Sequence, residues 1–466
     1  MDPTELAFAG IARQAKLIRD GDVSSRELTE ICLDRIERLN PALNAFTAVL
    51  AERALDEADE ADRARDPDRP LRGVPLAVKD VEDVEGVVTG FGSRAFEEPA
   101  AADGPLVRRL RTAGAVIVGK TALPELAICG FTESERWGVT RNPWGPGRST
   151  GGSSGGSGAA VAAGLVGAAT ASDGAGSIRI PAAFCGLFGL KPQRARLPFS
   201  PADPWWGMSV HGCLTRSVLD TALFLDLTMN RGGENGSPPP PQRPYVEAAA
   251  TAPGKLGIAI SAKPARAVLP PIVTDEARRG LAETEDLLRS LGHDVRHQDP
   301  DFGLAASNFV PRYLRGIRDD VAAVEHPERL ESRTRGFARL GAAYAPAFVR
   351  RATRLAERDS ARCNRIFERC DVLVTPTVGE QSIEVGRWAG KGALRTLLEM
   401  SRTFCFTPIW NHTGQPAAAV PAGFDSSGMP RSVSLVGRPG DEGTLISLAA
   451  QIEAERPWAD RRPPRS

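Results

Sequence analysis

Apolar residues recur along this chain with two periods in turn, and the alternation predicts the fold class. From residue 4 to 63 the spacing is helical. Leu28, Ile31, Cys32, Ile36 and Leu39 fall on one face of a helix that Ser24-Ser25-Arg26-Glu27 opens as a capping box. Asn40-Pro41 predicts its end, because a residue before proline is pushed out of the helical region. The charged stretch 54–69 reads as a solvated helix and loop. A short apolar run, 71–78, then closes on Lys79-Asp80, and 107–120 reads as a helix followed by a buried strand at 115–118. Further on, 214–227 has the pattern of an amphipathic helix and 255–260 that of a strand. Thr274 caps a helix with Asp275 and Glu276 in its first turn, running to Gly292. Residues 305–370 are helical and arginine-rich. Strands are predicted at 371–376, 417–420 and 433–436, with a terminal helix over 442–454. Strands alternating with helices imply an α/β protein. We read 1–466 as one domain, with 230–370 as a covering subdomain within it.

One stretch, 151–192, breaks both patterns. It runs from a Gly/Ser loop, G-G-S-S-G-G-S-G, through an Ala/Gly/Val segment to a second glycine loop, D-G-A-G-S-I-R. A Gly/Ser cluster by itself reads as a flexible linker. Here it joins two apolar segments that should be buried, which a solvated linker has no reason to do. Ser153, Ser154, Ser157 and Ser177 are the hydroxyls on offer. The match of Gly151-Gly152-Ser153-Ser154-Gly155 to a nucleophile elbow is accidental, since the proline-containing segment before it is no central strand. No Walker lysine follows, so phosphate cradling is a weak alternative.

Composition narrows the function classes. Of 466 residues 42% are apolar and 25% charged, which is ordinary for a globular protein able to bury a large core. The formal net charge of zero offers no basic surface for nucleic acid. The first residues have no signal-peptide pattern, and no apolar run is long enough to span a membrane. The seven cysteines are scattered and the five histidines dispersed, without metal-ligand spacing. We expect a cytoplasmic protein with reduced thiols, no cofactor and no metal.

Three motifs in order then carry a resemblance. Lys79 closes Gly73-Val74-Pro75-Leu76-Ala77-Val78-Lys79-Asp80, Ser153 lies in G-G-S-S-G-G, and Ser177 lies in G-S-I-R-I-P, 24 positions further on. A lysine at the end of an apolar strand would by itself read as a snorkelling surface residue. Together the three motifs resemble those of the amidase signature hydrolases, and a weaker likeness extends over most of the chain. The resemblance implies that family's fold, a large mixed β-sheet covered on both faces by helices. It also implies hydrolysis of a small-molecule amide through a Ser acyl-enzyme. Ser177 would be the nucleophile, Lys79 a neutral base, and Ser153, on a cis peptide, the relay between them. Lys79 should then meet no carboxylate. Backbone N–H groups of Gly174, Ala175, Gly176 and Ser177 would form the oxyanion hole. The sequence departs here from the commoner D-T-G-G-S in having Asp173-Gly174-Ala175-Gly176-Ser177. Asp173 and Arg179 read as structural.

Phe131, Trp206 and Met208 are the candidate substrate-binding residues, from the aromatic-rich segments either side of the signature. They predict a preference for apolar or aromatic acyl groups. Expected partners are a small amide substrate, with neither nucleic acid nor membrane, and a second copy of the chain in a homodimer. Two alternatives remain open. One is the glutaminase subunit of a tRNA-dependent amidotransferase, against which Gln193-Arg194-Ala195-Arg196 after G-L-K-P argues. The other is a non-catalytic binding protein on the same fold.

Overall fold

The computed structural model describes residues 1–466 apart from 65, 200–204, 231, 233–235, 266–267 and 465–466. Eleven strands of its two larger sheets fix the frame. They are β1 (Phe46–Val49), β2 (Pro75–Lys79), β3 (Val116–Thr121), β4 (Ala168–Asp173), β5 (Gly189–Lys191), β6 (Val210–Thr215), β7 (Gly257–Ile260), β8 (Asp294–His297), β9 (Val372–Pro376), β10 (Ala417–Phe424) and β11 (Pro430–Val436). The first sheet has the order β1-β3-β2-β4-β6 and the second β8-β7-β9-β11-β10-β5. Strand β2 runs parallel to both β3 and β4, whereas β4 and β6 are antiparallel. Paired hydrogen bonds between Phe188 and Thr215, of 3.1 and 3.3 Å, join the two ladders edge to edge. The result is the large mixed sheet expected.

Successive residues of a strand face opposite sides of a sheet. Every residue of β2, β3, β4, β6, β9 and β11 is buried, so helices must cover both faces. On β11 the covering helices are Asp275–Ser290 and Arg179–Cys185. Central strands buried on both sides read as continuous apolar runs, which is why 71–78 and 371–376 stood out.

The structure departs from the sequence expectations in particular places. The helical stretch at the N-terminus is interrupted by β1, which pairs with the edge of β3. The helix Ser25–Leu43 runs through Pro41 and ends at Asn44, which is left-handed at φ 52°. Proline in the last turn removes only one helical hydrogen bond. Asn40 Oδ1 holds the exit by accepting from the N–H groups of Ala45 and Phe46. The helix expected over 214–227 is Val218–Thr228, preceded by strand β6. The segment 230–370 contributes β7 and β8 to the second sheet, and its helix Ala305–Ala323 reaches the cavity described below. Among the described residues no helix is long and apolar enough to cross a membrane.

Candidate active site

Strand β2 ends by driving a lysine into the interior. Lys79 is wholly buried, so the snorkelling reading fails. Its N–H donates to Thr170 Oγ1 on β4 at 2.8 Å. Its Nζ donates to Ser153 Oγ at 2.7 Å and to Ser172 Oγ at 2.9 Å. Burial pushes the Lys79 ammonium down to about 7, against the opposing pull of Glu82 and Asp173. Lys79 makes no ion pair with a carboxylate among the described residues; Glu82 and Asp173 act on it through their charge alone, and desolvation outweighs both. Lys120 on the neighbouring strand makes the contrast. It is equally buried but bound to Asp80 Oδ1 at 2.8 Å, a structural ion pair.

The Gly/Ser loop is packed rather than flexible. The Gly152–Ser153 peptide is cis. A Cβ on Gly152 would stand 2.5 Å from the Phe131 nitrogen, and one on Gly156 2.3 Å from the Ala122 nitrogen. These glycines are there because backbone passes backbone at contact distance. Thr132 Oγ1 ties the loop by donating to the Gly151 carbonyl at 2.9 Å and accepting from the Gly155 N–H at 3.1 Å. The helix Gly155–Ala162 that follows is buried along its whole length and packs on β4.

Strand β4 ends at Asp173, which organises the second glycine loop. Its carboxylate accepts the N–H of Gly176 at 2.6 Å and of Ile178 at 3.1 Å. It also accepts Arg179 Nε and Nη2 at 3.0 Å each, and Asn411 Nδ2 at 2.8 Å. Burial alone would raise this carboxyl, but the Arg179 guanidinium outweighs it and holds the group at about 2. Gly176 has φ +132°, and a Cβ there would meet Thr407 Oγ1 at 2.4 Å. Thr407 Oγ1 in turn donates to the Ala175 carbonyl at 2.8 Å. The structural reading of Asp173 and Arg179 fits these contacts. Arg179→Ala is expected to cost about 3–5 kcal/mol of stability, the scale for leaving a buried partner charge uncompensated. Urea unfolding measures it, and a loss under 1 kcal/mol would contradict the clamp.

Ser153, Ser172, Gly174 and Ser177 open together onto one cavity of about 530 Å³. Of the predicted oxyanion donors, Gly174 lines it and Ala175 is half-buried beside it. The Gly176 N–H is already engaged by Asp173, which removes it from the set. The N–H groups of Gly174, Ala175 and Ser177 make no hydrogen bond with another described residue. Trp206 lines the cavity, and so does Trp205. Their indole N–H groups donate to Asp319 at 3.1 Å and Asp320 at 2.6 Å on the helix Ala305–Ala323. Phe131 and Met208 stand elsewhere. Phe131 is buried behind the wall, stacked on Trp388 at 4.6 Å, and Met208 is buried in the same apolar cluster. Neither lines the cavity. His211 does, and burial pushes it down to about 3, so it is neutral. His412 is held between Asp359 at 2.8 Å and Arg312 at 3.0 Å, away from the cavity.

Sequence reasoning missed Ser172, Thr407 and Asn411. Ser172 is a short hydroxyl in a strand of mostly alanine, and the other two lie more than 200 positions from the loop they hold. Among the described residues no three His, Cys, Asp or Glu side chains gather as a metal site.

The geometry agrees with what the chain resembles. The family model described as Amidase matches residues 27–446. A protein of Mycobacterium tuberculosis carrying the name "Putative amidase AmiB2" is 49% identical over 471 residues, spanning 99% of each chain. The 6-aminohexanoate-cyclic-dimer hydrolase of Paenarthrobacter ureafaciens is 36% identical over 97% of this chain and 95% of its own. A solved 6-aminohexanoate cyclic dimer hydrolase complexed with substrate superposes with a TM-score of 0.87 at 31% identity, covering 98% of this chain and 99% of that one. Matched from near its first helix to near its last, the chain belongs to the amidase signature family and is a hydrolase of carbon–nitrogen amide bonds.

Proposed function

We propose that hydrolysis runs through an acyl-enzyme on Ser177, with Ser153 as proton relay and Lys79 as base. The observation that carries this reading is the wholly buried Lys79, pushed down to about 7, with its Nζ 2.7 Å from Ser153 Oγ. A neutral amine there can take a proton at ordinary pH. Ser177 Oγ attacks the amide carbonyl carbon and its proton passes through Ser153 to Lys79 Nζ. The oxyanion that forms is met by the N–H groups of Gly174, Ala175 and Ser177, donors fixed before reaction and costing no reorganisation. Collapse breaks the C–N bond, and the proton returns from Lys79 through Ser153 to the leaving nitrogen. Water then attacks the acyl-enzyme by the same route and releases the carboxylate.

The substrate is a small amide with an apolar or aromatic portion, linear or cyclic. Its apolar part would lie against Trp205 and Trp206, which a pair of carboxylates holds in place. The cyclic-dimer hydrolases among the relatives favour including cyclic amides. A panel of amides, with ammonia and free amine both quantified, tests this and identifies the leaving group. Trp206→Ala is expected to raise KM for aryl amides roughly tenfold, the scale of one lost apolar pocket contact, while changing acetamide far less. Equal effects on both would mean that Trp206 only packs.

We place the enzyme in a reducing compartment such as the cytoplasm, a reading supported by seven free, buried cysteines. A homodimer remains part of the proposal, with sedimentation velocity as its measurement.

A further inference from the structure

The corner of the cavity beside Lys79 holds a carboxyl that the hydrolytic steps do not use. Glu82 sits in the tight turn that ends β2, its N–H donating to the Lys79 carbonyl at 2.9 Å. Its side chain is only 4% exposed and lines the cavity. Its Oε1 makes no hydrogen bond with a described residue and lies 3.4 Å from His211 Nε2. The Pro198 backbone acts on the His211 ring, which lies against Phe199 with centroids 3.7 Å apart. A carboxyl oxygen that opens on a cavity takes its partner from what fills the cavity, so Glu82 is placed to receive a donor from a bound molecule.

The surroundings say what would satisfy it. Four carboxyl side chains line the cavity, Glu82, Asp83, Asp319 and Asp320, and no Arg or Lys side chain does among the described residues. Three of the four are already engaged. Asp83 accepts from Thr89 Oγ1 at 2.7 Å, and Asp319 and Asp320 accept from the two indoles. The charged groups that act on Glu82 are Lys79, Lys120 and Asp83. Lys79 is turned to Ser153 and Ser172, and Lys120 to Asp80, so neither satisfies Oε1. A positively charged nitrogen would meet a complementary field, an acceptor in Oε1, and the aromatic faces of Phe91, Phe96 and Phe199. A carboxylate at this corner would meet no cationic side chain among the described lining residues.

We propose that Glu82, with His211 beside it, binds a basic amine carried by the substrate, so that the preferred substrates are amides of otherwise apolar chains bearing an amino group. This rests on the hydrolase reading above, and it limits the apolar preference in one respect: positive charge at one end is welcome, negative charge is not. Burial pushes Glu82 up to about 8, and an arriving ammonium would favour its ionised form.

The test compares a length series of ω-amino amides, 4-aminobutanamide to 8-aminooctanamide, with alkyl amides of equal heavy-atom count. For at least one length the wild-type enzyme should prefer the amino amide in kcat/KM by about tenfold or more. In Glu82→Gln that ratio should fall to within about threefold of one, whatever happens to the absolute rates. Titration calorimetry supplies a readout free of turnover: hexylammonium should bind the wild-type protein about tenfold more tightly than hexanol. A ratio near one across the series, a ratio retained in Glu82→Gln, or equal binding of hexylammonium and hexanol would overturn the proposal. If no amide of either series is hydrolysed, the proposed range of linear amide substrates is what fails, and the calorimetry alone judges the amine site. If Glu82→Gln does not fold, the wild-type ratio and the calorimetry decide.

Discussion

Ser177→Ala is expected to lower amide hydrolysis by about 10³-fold or more with the fold unchanged. The size follows from the chemistry: without Oγ there is no acyl-enzyme, and only the oxyanion donors and binding remain to help water. The unchanged fold follows from the contacts. The Ser177 hydroxyl makes no hydrogen bond with another described residue, and the loop around it is held by Asp173, Arg179 and Thr407 instead. Thermal unfolding should therefore stay close to wild type while turnover vanishes. A variant retaining more than a few per cent of activity would remove Ser177 from the role of nucleophile.

Lys79 carries the second large effect. The active form is the neutral amine, so protonation should switch the enzyme off. Below the Lys79 pKa, kcat/KM should fall about tenfold per pH unit, and the acidic limb should have its midpoint near 7 rather than near the ordinary lysine value of about 10.4. The direction is set by burial, with Glu82 and Asp173 working against it. Lys79→Ala should lose about 10³-fold in rate and lose that limb with it. If rate and profile both survive, the base lies elsewhere. His211 would be the next candidate, but burial holds it at about 3, which would place the limb some four units lower.

Much of the site was legible because its chemistry is written in local motifs. Lys79, Ser153 and Ser177 each stand in a short pattern of glycine, proline and apolar residues, and those patterns specify a strand end and two tight loops. The Asp173–Arg179 clamp was legible for the same reason, since its members lie six positions apart. Thr407, at the N-cap of the helix Pro408–Thr413, and Asn411 within it close the same clamp, and no periodicity relates that helix to residue 173. Strands β1 and β6 escaped notice because F-T-A-V between two helices and V-H-G-C-L-T after a Trp-rich loop lack both a clean alternation and a turn signal. The cavity wall was only partly readable. Aromatic side chains cluster near the signature, but Trp206 faces the lumen while Phe131 lies one layer behind, stacked on Trp388. Composition tells that a wall is aromatic; it does not tell which ring is on the inside.

The central claim is that an activated Ser177 forms a covalent adduct, and a fluorophosphonate probe reads this directly. Intact-mass measurement after labelling should give one adduct per chain, and peptide mapping should place it on the Gly174–Ser177 loop at Ser177. Ser177→Ala should take no label, and Lys79→Ala should label far more slowly at neutral pH. An adduct on Ser153, Ser157 or Ser172, or an enzyme that hydrolyses amides yet takes no label at Ser177, would contradict the account.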